Sequence, residues 1–230
     1  MFRAHLFGTF TLLDGARAVP LPASSARALL AYLLLHHAQP HPRAVLVGIF
    51  FPDLSEIRAR RALSQALWHI RHALPRLIQA DAETIQVSHD ASIWVDVEEF
   101  RKISDLSSPS LTSNLQSLIS LYRGDLLEGF YDDWLLLERE QLREMYLQAL
   151  ERLVQVYKST QHYADALNAA LKLTTSDPLR ESAHREVMRL YFLLQRPDAA
   201  LKQFATCRQI LSTELALDPE PETLALAREI

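Results

Sequence analysis

The sequence predicts a mainly α-helical protein that begins with a small β-sheet. Glycine is scarce, with five residues among 230, whereas large β-sandwiches and barrels need many glycine-rich turns. Hydrophobic residues make up 49% of the chain, which is enough for a packed core and argues against wholesale disorder. Runs of β-prone residues lie before residue 98, and the remainder repeats its apolar residues at helical spacing.

The first 97 residues predict a winged helix. Apolar residues at helical spacing indicate three consecutive helices, and β-prone runs bounded by turn residues precede and follow them. The order strand, strand, helix, helix, helix, hairpin is that of the winged helix, whose third helix enters the major groove of DNA. The predicted elements are strands within 5–13 and after Asp14, helices at 24–40, 43–50 and 55–75, and a hairpin with a polar tip at 84–97.

A further helix is predicted to begin at Asp96, because Asp96 and Glu99 have the spacing of a capping box. We therefore divide the chain into a winged-helix domain, residues 1–96, and a helical domain, residues 97–230. A turn-rich segment at 106–114 interrupts the second domain. The other predicted helices lie at 115–130, 132–161, 162–175, 178–195, 197–215 and 220–230.

The helical domain contains an internal repeat. Residues 163–173 align with residues 197–207, and the offset of 34 residues is the tetratricopeptide period. The alternative is a chance match between two alanine-rich helices, but the turns "SDPLRE" and "LDPEPE" that follow the two segments favour a repeat. We therefore expect an all-α, tetratricopeptide-like domain.

Charge is distributed unevenly between the two predicted domains. Residues 1–96 contain nine arginines, no lysine and seven acids, whereas residues 97–230 contain 15 basic and 21 acidic side chains. The first domain is therefore the better candidate for binding nucleic acid. The single cysteine excludes an intrachain disulfide. Neither a signal peptide nor a membrane-spanning segment is evident, so we expect a cytoplasmic protein.

The segment "RARRALSQALWHIRHALPR", residues 58–76, forms a helix with two distinct faces. One apolar stripe must face a core; it consists of Ala59, Leu63, Ala66, Leu67, Ile70 and Leu74. The opposite face and its edges carry nine candidate DNA-contacting residues. They are Arg58, Arg60, Arg61, Ser64, Gln65, Trp68, His69, Arg71 and His72.

Two interpretations of this polar face compete. Arginine can pair with guanine and glutamine with adenine in the major groove, so the face suits DNA reading. The alternative is a solvated basic surface. The position of the segment as the third helix favours DNA reading. Trp68 is unusual on an outermost face, and we expect it either to contact a sugar or a thymine methyl group or to pack under the wing.

Motifs along the whole chain resemble one family. The chain is similar to the bacterial transcriptional activator domain (BTAD) proteins, the SARP family of antibiotic-pathway regulators, which join an OmpR-type winged helix to a tetratricopeptide-like activation domain. Phe51 and Pro42 depart from the family, which usually has Trp and Ser or Thr there. The matching motifs are "LFGTFTL", "SARALLAYLLLH", "FFPD", "RRALSQALWHIRHAL", "VDVEEF", "LYRGDLLEGF", "DDWLLLERE", "DPLRESAHREVMRLY", "ALKQFATCRQIL" and "ELALDPEPET".

The resemblance implies a sequence-specific transcriptional activator. Residues Arg58 to His72 would lie in the major groove. Members tend to bind direct repeats as head-to-tail pairs, so the implied partners are promoter DNA, RNA polymerase and, on DNA, a second copy of the chain. The implied phosphate-backbone contacts are Arg43 and the wing-tip residues Ser88, His89 and Ser92. The implied polymerase-contact loop contains Phe51, Asp53, Leu54 and Glu56.

We expect no enzymatic activity, no metal and no cofactor. The five glycines form neither a dinucleotide-binding nor a phosphate-binding motif, and His69 and His72 have no cysteine or carboxylate nearby in sequence. Cys207 is expected to be a packed small hydrophobe. Two alternatives remain open. The helical domain could act as a protein-interaction module beside a degenerate winged helix, or the chain could be the N-terminal part of a larger ATPase-containing regulator.

Overall fold

The computed structural model describes residues 1–20, 24–105 and 111–230. They divide into two compact units. The first consists of Met1–Asp105 and Ser120–Arg143, and the second of the described residues of 106–119 together with Glu144–Ile230. These packing units differ from the division expected at residue 96, because residues 120–143 join the first unit. The assignment of separate roles to residues 1–96 and 97–230 stays a prediction.

The first unit has the winged-helix order that the sequence predicts. Strands β1 to β3 precede three helices, and further strands follow. The four-stranded sheet has the order β3-β2-β1-β7, and the three-stranded sheet has the order β4-β6-β5. The elements are β1 Phe2–His5, β2 Thr11–Asp14, β3 Arg17–Ala18, α1 Ser24–Leu35, β4 His41–Pro42, α2 Arg43–Phe50, α3 Glu56–Ala73, β5 Ile78–Ala80, β6 Thr84–Val87, β7 Ile93–Val95, α4 Asp96–Arg101 and a 3-10 helix Lys102–Asp105.

Helix α1 supplies much of the core of this unit. Its predicted apolar face is buried, and it ends at Leu35, before the two prolines that the sequence suggested as its end. Pro42 instead lies in β4, at the edge of the three-stranded sheet. An edge strand tolerates proline because one side of the strand needs no ladder hydrogen bond. The buried residues of this face are Ala26, Leu29, Leu30, Leu33 and Leu34.

The wing hairpin lies one strand earlier than predicted. β5 pairs with β6 in antiparallel orientation, with Ile78 opposite Val87, and the chain turns at residues 81–83. β7 lies in the other sheet, parallel to β1, with Ala4 opposite Val95. The prediction of a hairpin over 84–97 is therefore wrong. Alternation of apolar and polar residues predicts a strand, but it does not identify the strand with which it pairs.

The helix predicted over 115–130 ends early. Helix α5 spans Leu111–Ile119, and main-chain hydrogen bonds instead join residues 125–128 to Leu6 and Gly8. The guanidinium of Arg139 donates three hydrogen bonds to carbonyl groups within 126–130, at 2.6 to 2.8 Å. Of the predicted turn-rich segment 106–114, residues 106–110 lie outside the described residues and the rest begins α5.

The carboxylate of Asp96 is buried and accepts main-chain hydrogen bonds. It receives the N–H groups of Leu6 at 2.8 Å, Phe7 at 3.2 Å and Val97 at 2.9 Å. Burial raises the pKa of the Asp96 carboxyl, and these hydrogen bonds oppose the shift. Helix α4 begins at Asp96 as predicted, but the capping box is wrong, because Glu99 accepts a hydrogen bond from Lys102 instead.

The second unit is all-α, as predicted. Buried Ala166 and Ala200 occupy matching positions of the repeat, although Leu167 is buried and its counterpart Leu201 is exposed. The turns before the two repeat helices both place a glutamine in the left-handed region, Gln161 at φ 60° and Gln195 at φ 58°. The remaining helices are α6 Trp134–Ser159, which contributes residues from Glu144 onward, α7 Tyr163–Ser176, α8 Glu181–Leu193, α9 Pro197–Leu215 and α10 Pro221–Glu229.

Charged side chains tie the turns of the second unit to its helices. Arg180 donates to Glu144 at 2.8 Å and to Glu151 at 2.9 Å, both on α6. The carboxylate of Glu181 accepts the N–H of Glu220 at 3.0 Å and the hydroxyl of Thr223 at 2.7 Å, and thereby caps the start of α10. The motifs "DPLRE" and "LDPEPET" therefore contact each other through Glu181.

We predict that Asp96→Ala lowers the free energy of unfolding by about 3 kcal/mol, since the buried N–H groups of Leu6 and Phe7 lose their acceptor. Asp96→Asn should fall between Ala and the parent chain, because it keeps one acceptor oxygen. Urea unfolding measures both, and Asp90→Ala at an exposed position is the control, with a change within about 0.5 kcal/mol. A fully stable Asp96→Ala chain would contradict the prediction.

His184 predicts a dependence of stability on pH. It is buried, and its ring nitrogens lie 2.9 Å from the Pro178 carbonyl and 2.7 Å from Nε2 of Gln203, an arrangement that suits the neutral ring. Burial lowers the pKa of His184, so the unfolded chain binds the proton at higher pH than the folded chain. The stability contributed by neutral His184 is thus present above about pH 6.5 and is lost as the pH falls.

The measurement is urea unfolding at several pH values between about 7.5 and 5.5. We expect the free energy of unfolding of His184→Asn to decline less over this range than that of the parent chain. His89→Asn, at an exposed position, is the matched control and should keep the decline of the parent chain. Equal slopes for the parent and His184→Asn would refute this prediction.

Candidate nucleic-acid interface

Helix α3 separates a buried apolar face from an exposed polar face. All six residues of the predicted apolar stripe are buried. Of the nine candidate DNA-contacting residues, eight are exposed and His69 is half-buried. The amphipathic division predicted from the sequence is confirmed. Packing of the apolar stripe therefore determines which side chains of α3 face the solvent.

Four of the nine candidate side chains have no partner in the described part of the chain. Arg58, Arg61, Gln65 and Arg71 form no hydrogen bond or ion pair with the described residues. A guanidinium group without a protein partner keeps its five N–H donors for an external acceptor. The exposed face of α3 therefore suits an external anion or a base edge.

Arg60 and Ser64 are partly occupied within α3. Arg60 donates to the carboxylate of Glu56 at 2.6 Å, one helical turn away. Such exposed pairs contribute little to stability and are screened by salt. The Ser64 hydroxyl donates to the carbonyl of Arg60 at 2.8 Å, and it would have to give up this bond in order to donate to a base. These two residues fit direct base reading less well than their neighbours do.

Trp68 lies on the exposed face, within a cluster of three aromatic rings. Its indole stacks on the imidazole of His72, with ring centres 5.2 Å apart and planes at 10°. His69 meets the indole edge to face at 5.0 Å. Trp68 remains 59% exposed, so the expectation that it packs under the wing is wrong. The other expectation, contact with a sugar or a thymine methyl group, stays a prediction.

The turn of the wing hairpin is acidic, which the sequence did not reveal because the predicted tip lies about eight residues later. The carboxylate of Asp81 accepts the N–H groups of Thr84 at 2.7 Å and Glu83 at 2.8 Å and closes the turn. The hydrogen bonds from Thr84 and then Glu83 lower the pKa of the Asp81 carboxyl. Both acidic side chains are exposed. A DNA phosphate near this turn would meet two negative charges.

Arg43 is held by the wing turn at the start of α2. Its main-chain N–H donates to the carbonyl of Glu83 at 2.8 Å, and its side-chain Nε donates to the carbonyl of Asp81 at 2.9 Å. The terminal guanidinium nitrogens form no hydrogen bond or ion pair with the described residues, although the guanidinium attracts the Asp81 carboxylate electrostatically. A groove of about 700 Å³ opens here, and its charged lining includes Arg43, Arg60, Glu56, Asp81 and Glu83.

Ser88, His89 and Ser92 do not form the wing tip, and this assignment is corrected. The Ser88 N–H donates to the carbonyl of Leu77 at 2.8 Å, and the Ser92 carbonyl accepts the N–H of Phe2 at 2.9 Å. These residues connect the two sheets at the open end of the hairpin, away from its turn. The predicted contact of these residues with the phosphate backbone assumed that they form the wing tip, and this assumption is wrong.

The loop between α2 and α3 exposes apolar side chains. Leu54 is 43% exposed, and Ile57, in the first turn of α3, is 69% exposed. Phe51 is half-buried, and Asp53 is exposed. Glu56 belongs to α3 rather than to the loop. The loop is thus accessible, and its contact with polymerase stays a prediction.

The second unit has a groove of about 900 Å³ with charges of both signs. Arg185 in its lining contacts Glu220 at 2.5 Å, and Glu186 contacts Lys158 at 2.5 Å. No single sign of charge dominates the lining, so the groove does not indicate one class of ligand.

Burial raises the pKa of the Cys207 thiol to about 11, and Cys207 is buried as predicted.

The described residues also bear on two other classes of site. No cluster of three or more His, Cys, Asp or Glu side chains is arranged to hold a metal ion among them. None of the helices in this part of the chain is both long and apolar enough to cross a membrane.

The first unit has the fold of a winged helix, and a helical domain with an internal repeat follows it. The chain belongs to the bacterial transcriptional activator domain family, whose model matches residues 96–230. The resemblance predicted from the motifs is confirmed.

Two relatives are regulatory proteins named AfsR. The protein from Streptomyces coelicolor is 24% identical over 213 residues, which cover 89% of this chain and 22% of the relative. The protein from Streptomyces griseus is 22% identical over 238 residues, which cover 99% of this chain and 24% of the relative. The chain therefore spans less than a quarter of the length of either relative.

A solved structure of EmbR from Mycobacterium tuberculosis, in complex with a low-affinity phosphopeptide, has a similar fold. It superposes with a TM-score of 0.77 at 18% identity, over 99% of this chain and 64% of the EmbR chain. At this identity the likeness shows the fold alone. It agrees with the winged helix and the helical domain that the sequence predicts.

The two faces of α3 should respond differently to truncation. We predict that Leu63→Ala, on the buried face, lowers the free energy of unfolding by about 3 kcal/mol by leaving a cavity. Arg61→Ala, on the exposed face, should change it by less than about 0.5 kcal/mol. Thermal and urea unfolding measure both. A large loss of stability in Arg61→Ala would mean that the polar face supports the fold rather than an external partner.

Proposed function

We propose that the protein is a sequence-specific DNA-binding transcriptional activator that reads promoter DNA through α3. The observation that carries this proposal is the exposed face of α3, where Arg58, Arg61, Gln65 and Arg71 have no partner among the described residues. The buried stripe holds α3 in the unit so that these donors point outward. The third helix of a winged helix is the one that enters the major groove.

Charge supports the same proposal. Residues 56–76 contain five arginines and one acid, so α3 and the residues just after it form a local cationic surface in a chain whose net charge is −4. Each phosphate that a cationic side chain neutralises releases a counterion, which makes the affinity fall steeply with salt. Because few cations are available, we expect a complex that is tight only at low to moderate ionic strength.

The structure changes which residues we assign to the DNA backbone. The acidic turn at 81–83 disfavours phosphate contact by the wing. Arg43, at the start of α2, keeps terminal guanidinium donors without a described partner and is our candidate for a phosphate contact. Arg61 and Gln65 are our candidates for base reading, because both side chains can form paired hydrogen bonds with a purine edge.

Further parts of the proposal concern partners. We propose that the loop with exposed Leu54 and neighbouring Ile57 contacts RNA polymerase, since an exposed apolar loop beside the DNA-reading helix is placed for a second protein. We also propose binding to direct repeats as head-to-tail pairs and action in the cytoplasm. These rest on the resemblance to the family and on the helical domain. The repeat of the helical domain, which has the tetratricopeptide period, supports a protein-interaction role as the second candidate function.

The test is selection of bound duplexes from a random library, followed by titration of the selected duplex at several salt concentrations. We predict that Arg61→Ala and Gln65→Ala each weaken the selected duplex by about 5- to 150-fold and relax base preference at one or two positions. Arg43→Ala should weaken all duplexes alike and reduce the salt slope by about one. Lys202→Ala, on the exposed surface of α9, is the charge-matched control and should behave as the parent chain.

Failure of the parent chain to bind any duplex at low salt would refute the proposal. In that case, capture of a protein partner by the second unit would favour the protein-interaction function. If Arg61→Ala and Arg43→Ala both weakened every duplex equally, α3 would contact only the DNA backbone. The claim of sequence reading would then be wrong, although DNA binding would stand.

A further inference from the structure

Trp68 is an exposed feature in the middle of α3 that hydrogen bonding to DNA does not explain. Its indole is 59% exposed on a face otherwise made of arginine, glutamine, serine and histidine. Indole has a single N–H donor and no acceptor, so it cannot form the paired hydrogen bonds by which side chains distinguish purines. An exposed indole in the middle of a candidate binding face offers a large apolar surface for contact with an apolar partner.

The ring is also held in place before any partner arrives. The imidazole of His72, one helical turn further on, lies parallel to it at a plane angle of 10°. His69 contacts it edge to face at 5.0 Å. Two ring neighbours restrict the rotamers of Trp68, which reduces the entropy lost when it makes a contact. The cluster therefore presents a fixed apolar surface on the solvent side of α3.

The major groove offers one apolar group on its base edges, the C5 methyl group of thymine. The other groups that side chains read on these edges are hydrogen-bond donors and acceptors, which indole would desolvate without compensation. Gln65 lies about one turn before Trp68, and Arg71 about one turn after it. The apolar ring is thus flanked by the polar donors that would read the neighbouring bases.

We propose that Trp68, supported by His72, is a specificity-determining residue that recognises thymine through its methyl group. This inference rests on the proposed function, because it requires α3 to lie in the major groove. Trp68 would thereby recognise a base that the arginines and Gln65 do not distinguish, because their hydrogen bonds do not detect a methyl group.

The test replaces single thymines by deoxyuridine in the duplex that the parent chain selects from a random library. This change removes the methyl group and leaves base pairing intact. We expect a loss of about 4-fold in affinity at one or two thymines, as for one buried methyl group. Trp68→Ala should bind the thymine and deoxyuridine duplexes equally. Trp68→Phe should restore part of the difference, and His72→Ala should reduce it.

Tyr131→Ala is the matched aromatic control, because Tyr131 is 92% exposed and lies outside α3. It should keep the full preference for thymine. Unfolding curves for the Trp68 and His72 variants establish that they fold, and sedimentation establishes their state of association without DNA.

Three results would overturn the inference. If Trp68→Ala kept the preference for thymine over deoxyuridine, another residue would read the methyl group. If Trp68→Ala weakened both duplexes equally and the parent chain showed no preference, the indole would contact deoxyribose instead. If Trp68→Ala altered self-association without any effect on DNA, the ring would belong to a protein interface. Failure of the parent chain to select any duplex would instead refute the proposed function, and this inference with it.

Discussion

The N-terminal unit depends on the buried carboxylate of Asp96. Removing a carboxylate from water costs several kcal/mol, and the main-chain N–H groups of Leu6, Phe7 and Val97 offset much of that cost. The raised pKa of Asp96 indicates that desolvation still outweighs the hydrogen bonds. These bonds hold the end of β1 against the start of α4, and therefore keep β7, which runs directly into Asp96, parallel to β1.

The orientation of α3 follows from packing rather than from its charges. A rotation of one residue, about 100°, would expose the apolar stripe and bury arginines. Core packing thus decides which donors face the solvent, although those donors contribute little to the fold. The acidic wing turn adds a second constraint, since it moves candidate phosphate contacts toward Arg43 and α3. The candidate binding face is therefore narrower than that of a winged helix whose wing is basic.

Local periodicity predicted the helices well and strand partners poorly. Helices α2, α3 and α6 to α10 lie close to their predicted ranges, because their hydrogen bonds close within about four residues of the sequence. The strand at 84–87 was also recognised, but its partner β5 was not, because pairing joins residues whose distance along the chain leaves no periodic pattern. The same holds for residues 125–128, which resemble a helix continuation but bond to Leu6 and Gly8.

The sequence by itself determined the family, the order of winged helix and helical repeat, and the two faces of α3, since each is written in motifs or in helical spacing. Only the tertiary structure decided where the wing turns, that this turn is acidic, that Asp96 serves β1 rather than a capping box, and that Trp68 stacks on His72 in the open. The physical reason is common to all four. Each depends on groups that folding brings together, and neither the composition of the chain nor the periodicity of its apolar residues indicates which groups those are.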